Sequence, residues 1–373
     1  MILNDLLEEI VKQKASDLFL VTDAKASIRV SGELVAVSEQ PLSDEQVRML
    51  VHSAMNTRQR KEFEQTQECN FAISVDIGRF RVSAYYQRGT PAMVLRRIYT
   101  EIPSLEELHL PALLKELSLS KRGLILFVGA TGTGKSTSLA SLIDYRNANS
   151  AGHIITIEDP IEFMHSHKQS IITQREVSID TDSFEQALHN SLRQSPDVIL
   201  MGEIRNLELM RYGLTFAETG QLCLATLHAN NADQALARII NMFPAEYHEK
   251  LRMELSVNLK AIIAQQLIPA KNGEGRRVAT EILLNTPLVG ELISKGRFGD
   301  IKDAMKKSSN LGMQTFDQSL YQLYLHGEIS YESALSHADS ANDLRLMIKL
   351  SVDTQIDAAV TDYQFSLQDD YPK

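Results

Sequence analysis

The chain has 373 residues, of which 43% are hydrophobic, and its formal net charge is −10. This length predicts two to three domains at roughly 150 residues each, and the composition allows real cores to be buried. The acidic balance argues against a protein that mainly coats nucleic acid, because such proteins carry a basic face. Two cysteines, Cys69 and Cys223, are too few for a disulfide framework or a four-cysteine zinc site, and they indicate a reducing compartment.

The N-terminal segment predicts an amphipathic helix rather than a signal peptide. Acidic residues stand where a signal peptide would be basic. Apolar residues recur there at helical spacing, at Ile2, Leu3, Leu6, Leu7 and Ile10. The longest apolar run, Leu124 to Ala130, is far shorter than the roughly 20 residues that a membrane-spanning helix needs. We therefore expect a cytoplasmic protein.

The first hundred residues predict a small α/β domain. Ser43 is a predicted N-cap, with Gln46 three residues later, for a helix that runs toward Met55. A turn at SGEL, Ser31 to Leu34, and another at Asp76 to Gly78 separate strand candidates. The strand candidates are Asp17–Thr22, Ala26–Val30, Leu34–Ala36, Asn70–Val75, Gly78–Tyr86 and Met93–Ile98.

The character of the chain changes after a proline-containing linker, Thr100 to Pro111. Four apolar runs, GLILFVGA, HIITIEDP, DVILMGEI and QLCLATLHA, follow and are separated by helical segments. This alternation predicts a parallel sheet with crossover helices. From about Asn241 we expect mainly helix, interrupted by a hairpin turn at Lys271–Arg277. The last stretch, Ser351 to Lys373, has five aspartates and one lysine, which is typical of a frayed acidic tail.

A phosphate-binding loop is predicted at GATGTGKST, residues 129–137. Gly129, Gly134, Lys135 and Ser136 fit the pattern G-x-x-x-x-G-K-S between a buried strand and a helix. Glycines let backbone N–H groups approach phosphate oxygens, the lysine reaches the outer phosphates, and the serine hydroxyl ligates Mg²⁺. The predicted ATP-binding residues are Gly129, Ala130, Thr131, Gly132, Thr133, Gly134, Lys135, Ser136 and Thr137.

Acidic residues follow two of the other apolar runs. Glu203 ends DVILMGEI, and a carboxylate at that place serves the metal or its water in P-loop enzymes. Glu158, Asp159 and Glu162 follow the strand in IITIEDPIEF, where a carboxylate orients or deprotonates the attacking water. Taken alone, that acidic segment fits a solvated loop equally well. Asp197, at the start of its strand, fits a turn or cap role as readily as a functional one.

His228 lies in TLHANN at the end of the fourth apolar run. It is a candidate sensor of the γ-phosphate, although a single histidine is more often a packed structural residue.

The phosphate loop and the three segments that carry Glu158, Glu203 and His228 together resemble the secretion-superfamily ATPases of type IV pilus and type II secretion systems. GATGTGKST resembles the Walker A motif, IEDPIEF the Asp box, LRQSPDVILMGEIRN the Walker B signature and TLHANNADQALARI the His box, all in the family's order.

The resemblance implies an α/β fold with a PAS-like N-terminal domain, a RecA-like P-loop ATPase core and a helical C-terminal region. The corresponding ranges are 1–100 for the PAS-like domain, 101–112 for a linker, 113–280 for the core, 281–350 for the helical region and 351–373 for the disordered acidic tail. It also implies a hexameric ring that hydrolyses ATP with Mg²⁺.

The resemblance assigns roles to individual residues. Lys135 and Ser136 would hold phosphate and Mg²⁺, and Glu203 would also serve the metal. Glu162, with Glu158 nearby, would position the water, and His228 would respond to the nucleotide. Arginines of the N-terminal domain complete the site in this family, which makes Arg81 and Arg96 candidates for stabilising charge on the γ-phosphate. The alternative for both is an ordinary exposed strand arginine.

Features that the chain lacks, and motifs that differ from the family's usual sequence, indicate the subclass that it resembles. Assembly ATPases of this superfamily carry a long N-terminal extension and a tetracysteine zinc motif, so this chain resembles the PilT/PilU retraction class, as does LGMQTFDQSLYQLYLHGEIS at Leu311–Ser330. The retraction motif AIRNLIRE is replaced by LVGELISKGRF after Pro287, which favours the PilU branch. Asn206 stands where the Walker B signature usually ends in Asp, and we expect modest consequences.

The sequence thus predicts an ATPase that powers or assists type IV pilus retraction and twitching motility, at the cytoplasmic side of the inner membrane. The expected partners are further copies of the chain, a PilT-type ATPase and an inner-membrane platform protein, with no zinc and no direct nucleic acid. Two alternatives stay open. One is a nucleotide-binding scaffold that docks on a PilT ring, and the other is a secretion or DNA-translocating motor of the same superfamily.

Overall fold

The computed structural model describes residues 2–30 and 32–350. The predicted acidic tail and Ser31 of the predicted SGEL turn lie outside the described residues. None of the helices within those two ranges combines the length and apolar character that a membrane crossing requires. The chain forms two compact units. One contains the residues up to Ile102 together with Glu158–Ser166 and Gln174–Ala187, and the other contains Pro103–Ile157, His167–Thr173 and the residues from Leu188 onward.

The first unit is built on a six-stranded antiparallel sheet. Its helices are α1 (Leu3–Lys12), α2 (Asp44–Ala54) and α3 (Thr57–Thr66), and its strands are β1 (Asp17–Val21), β2 (Lys25–Val30), β3 (Glu33–Pro41), β4 (Glu68–Val75), β5 (Gly78–Gln87) and β6 (Thr90–Ile98). The strand order is β3-β2-β1-β6-β5-β4. Alternate residues of the strands, such as Leu18, Leu20, Phe80 and Val82, are buried in one core with α1 and α2.

The sequence predicted all six of these strands. The predicted capping box is also confirmed, because the Gln46 N–H donates to Ser43 Oγ and the Ser43 N–H donates to Gln46 Oε1. Helix α3 was not predicted. Its sequence TRQRKEFEQT buries only Phe63 and therefore lacks the apolar stripe that marks a helix.

The second unit carries most of a seven-stranded sheet of order β13-β12-β7-β11-β10-β8-β9. The strands are β7 (Gly123–Val128), β8 (Gly152–Glu158), β9 (Ser170–Glu176), β10 (Val198–Met201), β11 (Leu222–Leu227), β12 (Leu259–Pro269) and β13 (Arg276–Leu284). Neighbours from β12 through β7, β11 and β10 to β8 are parallel, as the alternation of apolar runs and helices predicted. This arrangement brings the carboxyl ends of the apolar strands to one edge, where ligands bind in such sheets.

The remaining helices lie before, between and after these strands along the chain. They are α4 (Leu113–Ser118), α5 (Lys135–Asn149), α6 (Phe184–Ser191), α7 (Leu207–Glu218), α8 (Ala232–Asn241), α9 (His248–Asn258), α10 (Pro287–Ser294), α11 (Ile301–Lys307), α12 (Phe316–Leu325) and α13 (Tyr331–His337), with 3-10 turns at Ala245–Tyr247, Phe298–Asp300 and Ser309–Leu311.

The prediction of mainly helical structure after Asn241 is wrong for residues 259–284. A hairpin turn does lie near Lys271–Arg277, but the segments on either side are the antiparallel strands β12 and β13. The run AIIA in β12 is buried throughout, so it shows no alternation of apolar and polar residues. A strand of this kind cannot be distinguished from a buried helix by periodicity alone.

Candidate functional site

The predicted phosphate loop connects β7 to α5. All six residues of β7 are buried, which fixes the start of the loop. Gly134 is the N-cap of α5 with a φ of 89°, and Gly129 has a φ of 152°. A Cβ at Gly129 would lie 2.6 Å from Thr133 Oγ1 and 2.7 Å from the carbonyl oxygen of Gln265, so only glycine fits there. The first N–H groups of α5 lie beyond the reach of intrahelical acceptors and point to the place where anions bind.

Lys135 lies inside this loop. Its Nζ donates to the carbonyl oxygens of Gly129 and Ala130, at 2.8 Å each, and the residue is only 9% exposed. Burial lowers the pKa of the Lys135 ammonium, and the Glu203 carboxylate opposes that shift. Ser136, one residue later, is exposed. The loop therefore presents three groups together: the Lys135 ammonium, the first N–H groups of α5 and the exposed hydroxyl of Ser136.

Gln265 on β12 supports the loop from the sheet and was missed by sequence analysis. Its Nε2 donates to the carbonyl oxygen of Thr133 at 2.8 Å, and its Oε1 accepts the Ser138 hydroxyl at 2.9 Å. The side chain is 3% exposed. No local motif marks this residue, because its partners are more than 120 positions away in sequence.

Glu203 lies just beyond the end of β10, and its carboxylate contacts the side chains of Arg205 and His228. Arg205 Nε donates to its Oε2 at 2.8 Å, and His228 Nε2 lies 2.9 Å from its Oε1. The Gly202 N–H donates to the carbonyl oxygen of Ile157 on β8, and the Thr226 hydroxyl donates to that of Gly202. The structure therefore brings together the predicted residues Glu203 and His228, and it adds Arg205 to them.

Asp197 has a structural role at the opposite end of β10. Its Oδ2 accepts the backbone N–H of His153 at 2.7 Å, while its own N–H donates to the His153 carbonyl oxygen. These bonds join Asp197, the residue before β10, to His153, the second residue of β8. Of the two alternatives that the sequence left open for Asp197, the cap role describes its contacts.

The acidic segment after β8 belongs to the first compact unit. Glu158 Oε1 accepts Gln174 Nε2 at 3.3 Å, and Glu162 is exposed. The Tyr99 N–H donates to the carbonyl oxygen of Glu162 at 3.3 Å, and the Met164 N–H donates to that of Tyr99 at 3.0 Å. These backbone bonds attach the segment to the chain that follows β6.

Arg81 and Arg96 also lie in the first unit, on β5 and β6. Arg96 Nε donates to Asp17 Oδ1 at 2.8 Å, and this bond raises the pKa of the guanidinium. Arg81 Nε is 4.0 Å from Glu176 Oε1. The negative charge of Glu162 also acts on Arg96. The predicted residues thus fall into two groups: Glu158, Glu162, Arg81 and Arg96 in one unit, and the phosphate loop, Glu203 and His228 in the other.

The residues present suit a divalent cation that arrives with a nucleotide. Within residues 2–30 and 32–350, no group of three or more His, Cys, Asp and Glu side chains is arranged to hold a metal ion by itself. Mg²⁺ commonly takes one or two protein ligands and completes its shell with phosphate oxygens and water. The Ser136 hydroxyl and the Glu203 carboxylate are oxygen donors of the kind that this mode of binding uses.

Comparisons with known proteins show which family the chain resembles. The profile of the family described as Type II/IV secretion system protein matches residues 1–319. The type IV pilus ATPase PilU of Pseudomonas aeruginosa is 61% identical over 353 residues, which cover 94% of this chain and 92% of that protein. The type IV pilus retraction ATPase PilT of the same organism is 42% identical, covering 90% and 98%. A crystal structure of the pilus retraction motor PilT with bound ADP superposes with a TM-score of 0.86 at 38% identity, covering 92% of this chain and 99% of that one.

Proposed function

Because this chain belongs to the Type II/IV secretion system protein family and is an ATPase of its PilT/PilU branch, we propose that it is a PilU-type motor that assists type IV pilus retraction. The observation that carries the proposal is that this chain has higher sequence identity to PilU than to PilT over nearly its whole length. The replacement of the retraction motif by LVGELISKGRF in and after α10 supports the same assignment. ATP hydrolysis by this motor would help to drive twitching motility.

Nucleotide binding would use the loop at residues 129–137. Lys135 would bind the β- and γ-phosphates, and Ser136 with Glu203 would hold Mg²⁺, which supplies charge neutralisation on the phosphates. His228 contacts Glu203 and would respond to the γ-phosphate through that carboxylate. Glu162, with Glu158 nearby, would orient the attacking water or accept its proton.

Hydrolysis would be completed by a neighbouring copy of the chain. Arg81 and Arg96 would stabilise charge that develops on the γ-phosphate of an adjacent subunit in a hexameric ring. Loss of that phosphate would release the arginines, so each turnover would open one subunit interface. Such steps would act on a PilT-type ring and an inner-membrane platform protein, and would place the motor at the cytoplasmic face of the membrane.

The first sheet would belong to a PAS-like domain and the sheet around β7 to a RecA-like ATPase core. The antiparallel order of the first sheet and the parallel strands around β7 support these assignments. On this proposal the ranges are 1–100, a linker at 101–112, the core at 113–280, the helical region at 281–350 and the acidic tail at 351–373.

The ATPase site is tested by Lys135→Ala, with Lys121→Ala as the matched control. Lys121 is an exposed lysine just before β7. The first variant should lose turnover, and the second should keep it. Hydrolysis by the Lys135→Ala variant would overturn the site.

The accessory role is tested by deleting the gene in strains with and without the PilT-type ATPase. We expect this chain to increase retraction only where that ATPase is present. Retraction that this chain supports alone would contradict an accessory role.

Two further measurements test the alternatives. Full retraction with the Glu203→Ala variant would favour a scaffold, and stimulation of the ATPase by DNA would favour a DNA-translocating motor.

A further inference from the structure

A row of charged residues crosses the N-terminal sheet. Arg29 on β2 pairs with Asp17 on β1, Asp17 pairs with Arg96 on β6, and Arg96 pairs with Arg81 on β5. Directly paired residues of neighbouring strands lie on the same face of a sheet. Their chain neighbours Leu18 and Val82 belong to the buried core, so the charged row lies on the face opposite that core.

Two members of the row are cations placed directly opposite each other. Arg81 and Arg96 are cross-strand partners, whose Cβ atoms lie about 5 Å apart in such pairs. Like charges in this position destabilise a sheet. The structure places one buried carboxylate beside each arginine, since Asp17 is 4% exposed and Glu176 is 2% exposed.

Asp17 holds Arg96 at one end of its guanidinium. Its Oδ1 accepts Arg96 Nε at 2.8 Å, and its Oδ2 accepts the Ser16 hydroxyl at 2.8 Å, so the carboxylate itself is fixed in place. A guanidinium has five N–H donors, and this bond uses one of them. The Arg96 side chain is 58% exposed, which leaves its outer part accessible to a second anion.

Glu176 connects Arg81 to the loop that carries Glu162. Its Oε1 lies 4.0 Å from Arg81 Nε, and its Oε2 accepts the Ile161 N–H at 3.4 Å. The Glu176 N–H donates to Asp180 Oδ2 at 2.9 Å, which fixes the backbone beneath the carboxylate. Ile161 immediately precedes Glu162, so one buried carboxylate contacts both a candidate arginine and the backbone of the candidate water-positioning loop.

We infer that Asp17 and Glu176 are positioning residues for ATP hydrolysis, which hold Arg96 and Arg81 as a pair that binds the terminal phosphate of a nucleotide in an adjacent copy of the chain. The inference rests on the proposed function, which supplies the role of the arginines. Neither carboxylate touches the reacting atoms. Asp17 fixes the direction of the Arg96 guanidinium through a hydrogen bond, whereas Glu176 lies beside the Arg81 guanidinium at ion-pair distance. The remaining N–H groups would then meet the phosphate with little reorganisation.

The first test compares full-length Asp17→Asn with Asp44→Asn. Asp44 forms an exposed ion pair with Arg48 at 3.2 Å in the same unit, so the control removes a similar pair outside the row. Asn keeps the shape but loses the charge-assisted bond. We expect kcat to fall about tenfold or more while KM for ATP changes less than about threefold, because a misplacement of about 1 Å can cost about 100-fold in rate. Glu176→Gln should behave in the same way.

A double-mutant cycle separates positioning from general stability. If Asp17 acts only through Arg96, then Asp17→Asn should add nothing to Arg96→Ala. Arg96→Ala itself should lower kcat by about 10³-fold or more. Normal kcat in Arg96→Ala would contradict the arginine role in the proposed function. A large loss in Arg96→Ala with normal kcat in Asp17→Asn would overturn only the present inference.

Subunit mixing provides a readout that a structural role would not change. Lys135→Ala subunits cannot hydrolyse ATP but retain the charged row, whereas Asp17→Asn subunits retain the phosphate loop. Co-expressed rings should hydrolyse ATP faster than the two homogeneous variants together, because intact arginines serve a neighbouring site. Purely additive activity in rings verified to be mixed would contradict positioning in trans.

Discussion

Gln265 is the residue whose role sequence reasoning had least chance of finding. It follows the continuous apolar run AIIA of β12, and its amide reaches a loop 132 positions earlier in the chain. The glycines and lysine of that loop were recognisable because a phosphate constrains their spacing locally. The residue that supports the loop is specified only by the pairing of β12 with β7, which brings distant segments together.

We predict that Gln265→Glu weakens nucleotide binding. The substitution keeps the size of the side chain but replaces the donor to the Thr133 carbonyl with an oxygen, so two acceptors face each other in a buried place. An unsatisfied buried group costs about 1–3 kcal/mol, which corresponds to a loss of about 5- to 150-fold in affinity for ADP. Calorimetric titration of ADP would measure this loss.

The neighbouring Gln266→Glu is the matched control for that prediction. Gln266 is half-buried, and its side chain lies on the opposite face of β12 because successive residues of a strand alternate. ADP affinity should change little in the control. Equal losses in the two variants would show that negative charge in β12 as such, rather than the bonds of Gln265, weakens binding.

At the scale of single elements, the unusual Asn206 has a simple explanation. It is the N-cap of α7, and its Oδ1 accepts the Leu209 N–H at 2.9 Å. Asn and Asp cap helices about equally well. The substitution from the family's usual Asp therefore preserves the cap that starts α7, three residues after Glu203.

We predict that Asn206→Asp changes stability by a few tenths of a kcal/mol and kcat by less than about twofold, whereas Asn206→Ala lowers the free energy of unfolding by about 1 kcal/mol. Urea denaturation and ATPase assays would measure both effects. Ser330→Ala, which removes the cap of α13, is the control for loss of a cap away from the site. A large fall in kcat for Asn206→Asp would mean that the side chain takes part in more than capping.

The strands show which elements a sequence specifies clearly. Strands β2 and β5 of the first unit alternate buried residues with more exposed ones, and β7 was recognisable from the loop that follows it. Strands β12 and β13 have neither signal, because AIIA in β12 and ATEIL in β13 are continuously buried. Only the turn between them was marked, by the glycine-rich KNGEGRR.

On the scale of the whole molecule, the two compact units do not follow the order of the chain. Glu158–Ser166 and Gln174–Ala187 join the first unit although they follow the phosphate loop in sequence. Linear patterns located the four motifs, but they could not indicate that the Asp-box segment shares a unit with Arg81 and Arg96. That grouping depends on contacts such as the one between Glu176 and Arg81.

Global stability should depend on pH through Glu281 on β13. Its Oε1 accepts the Ala232 N–H at the start of α8, but burial, with help from Asp233 and Asp339, raises its pKa to about 7, while Lys302 acts in the opposite direction. Because the folded pKa lies above the unfolded value of about 4.5, the native state holds the proton more tightly. Stability is therefore lost as pH rises from about 4.5 through 7.

We predict that Glu281→Gln removes this dependence. The variant should resemble the original chain at pH 5 and should be more stable by up to about 3 kcal/mol at pH 8, where ionisation of the buried glutamate has its full cost. Urea denaturation at pH 5, 6, 7 and 8 would measure the difference, with the exposed Glu274→Gln as control. A stability difference that does not grow with pH would show that Glu281 keeps the same charge in the folded and unfolded chain.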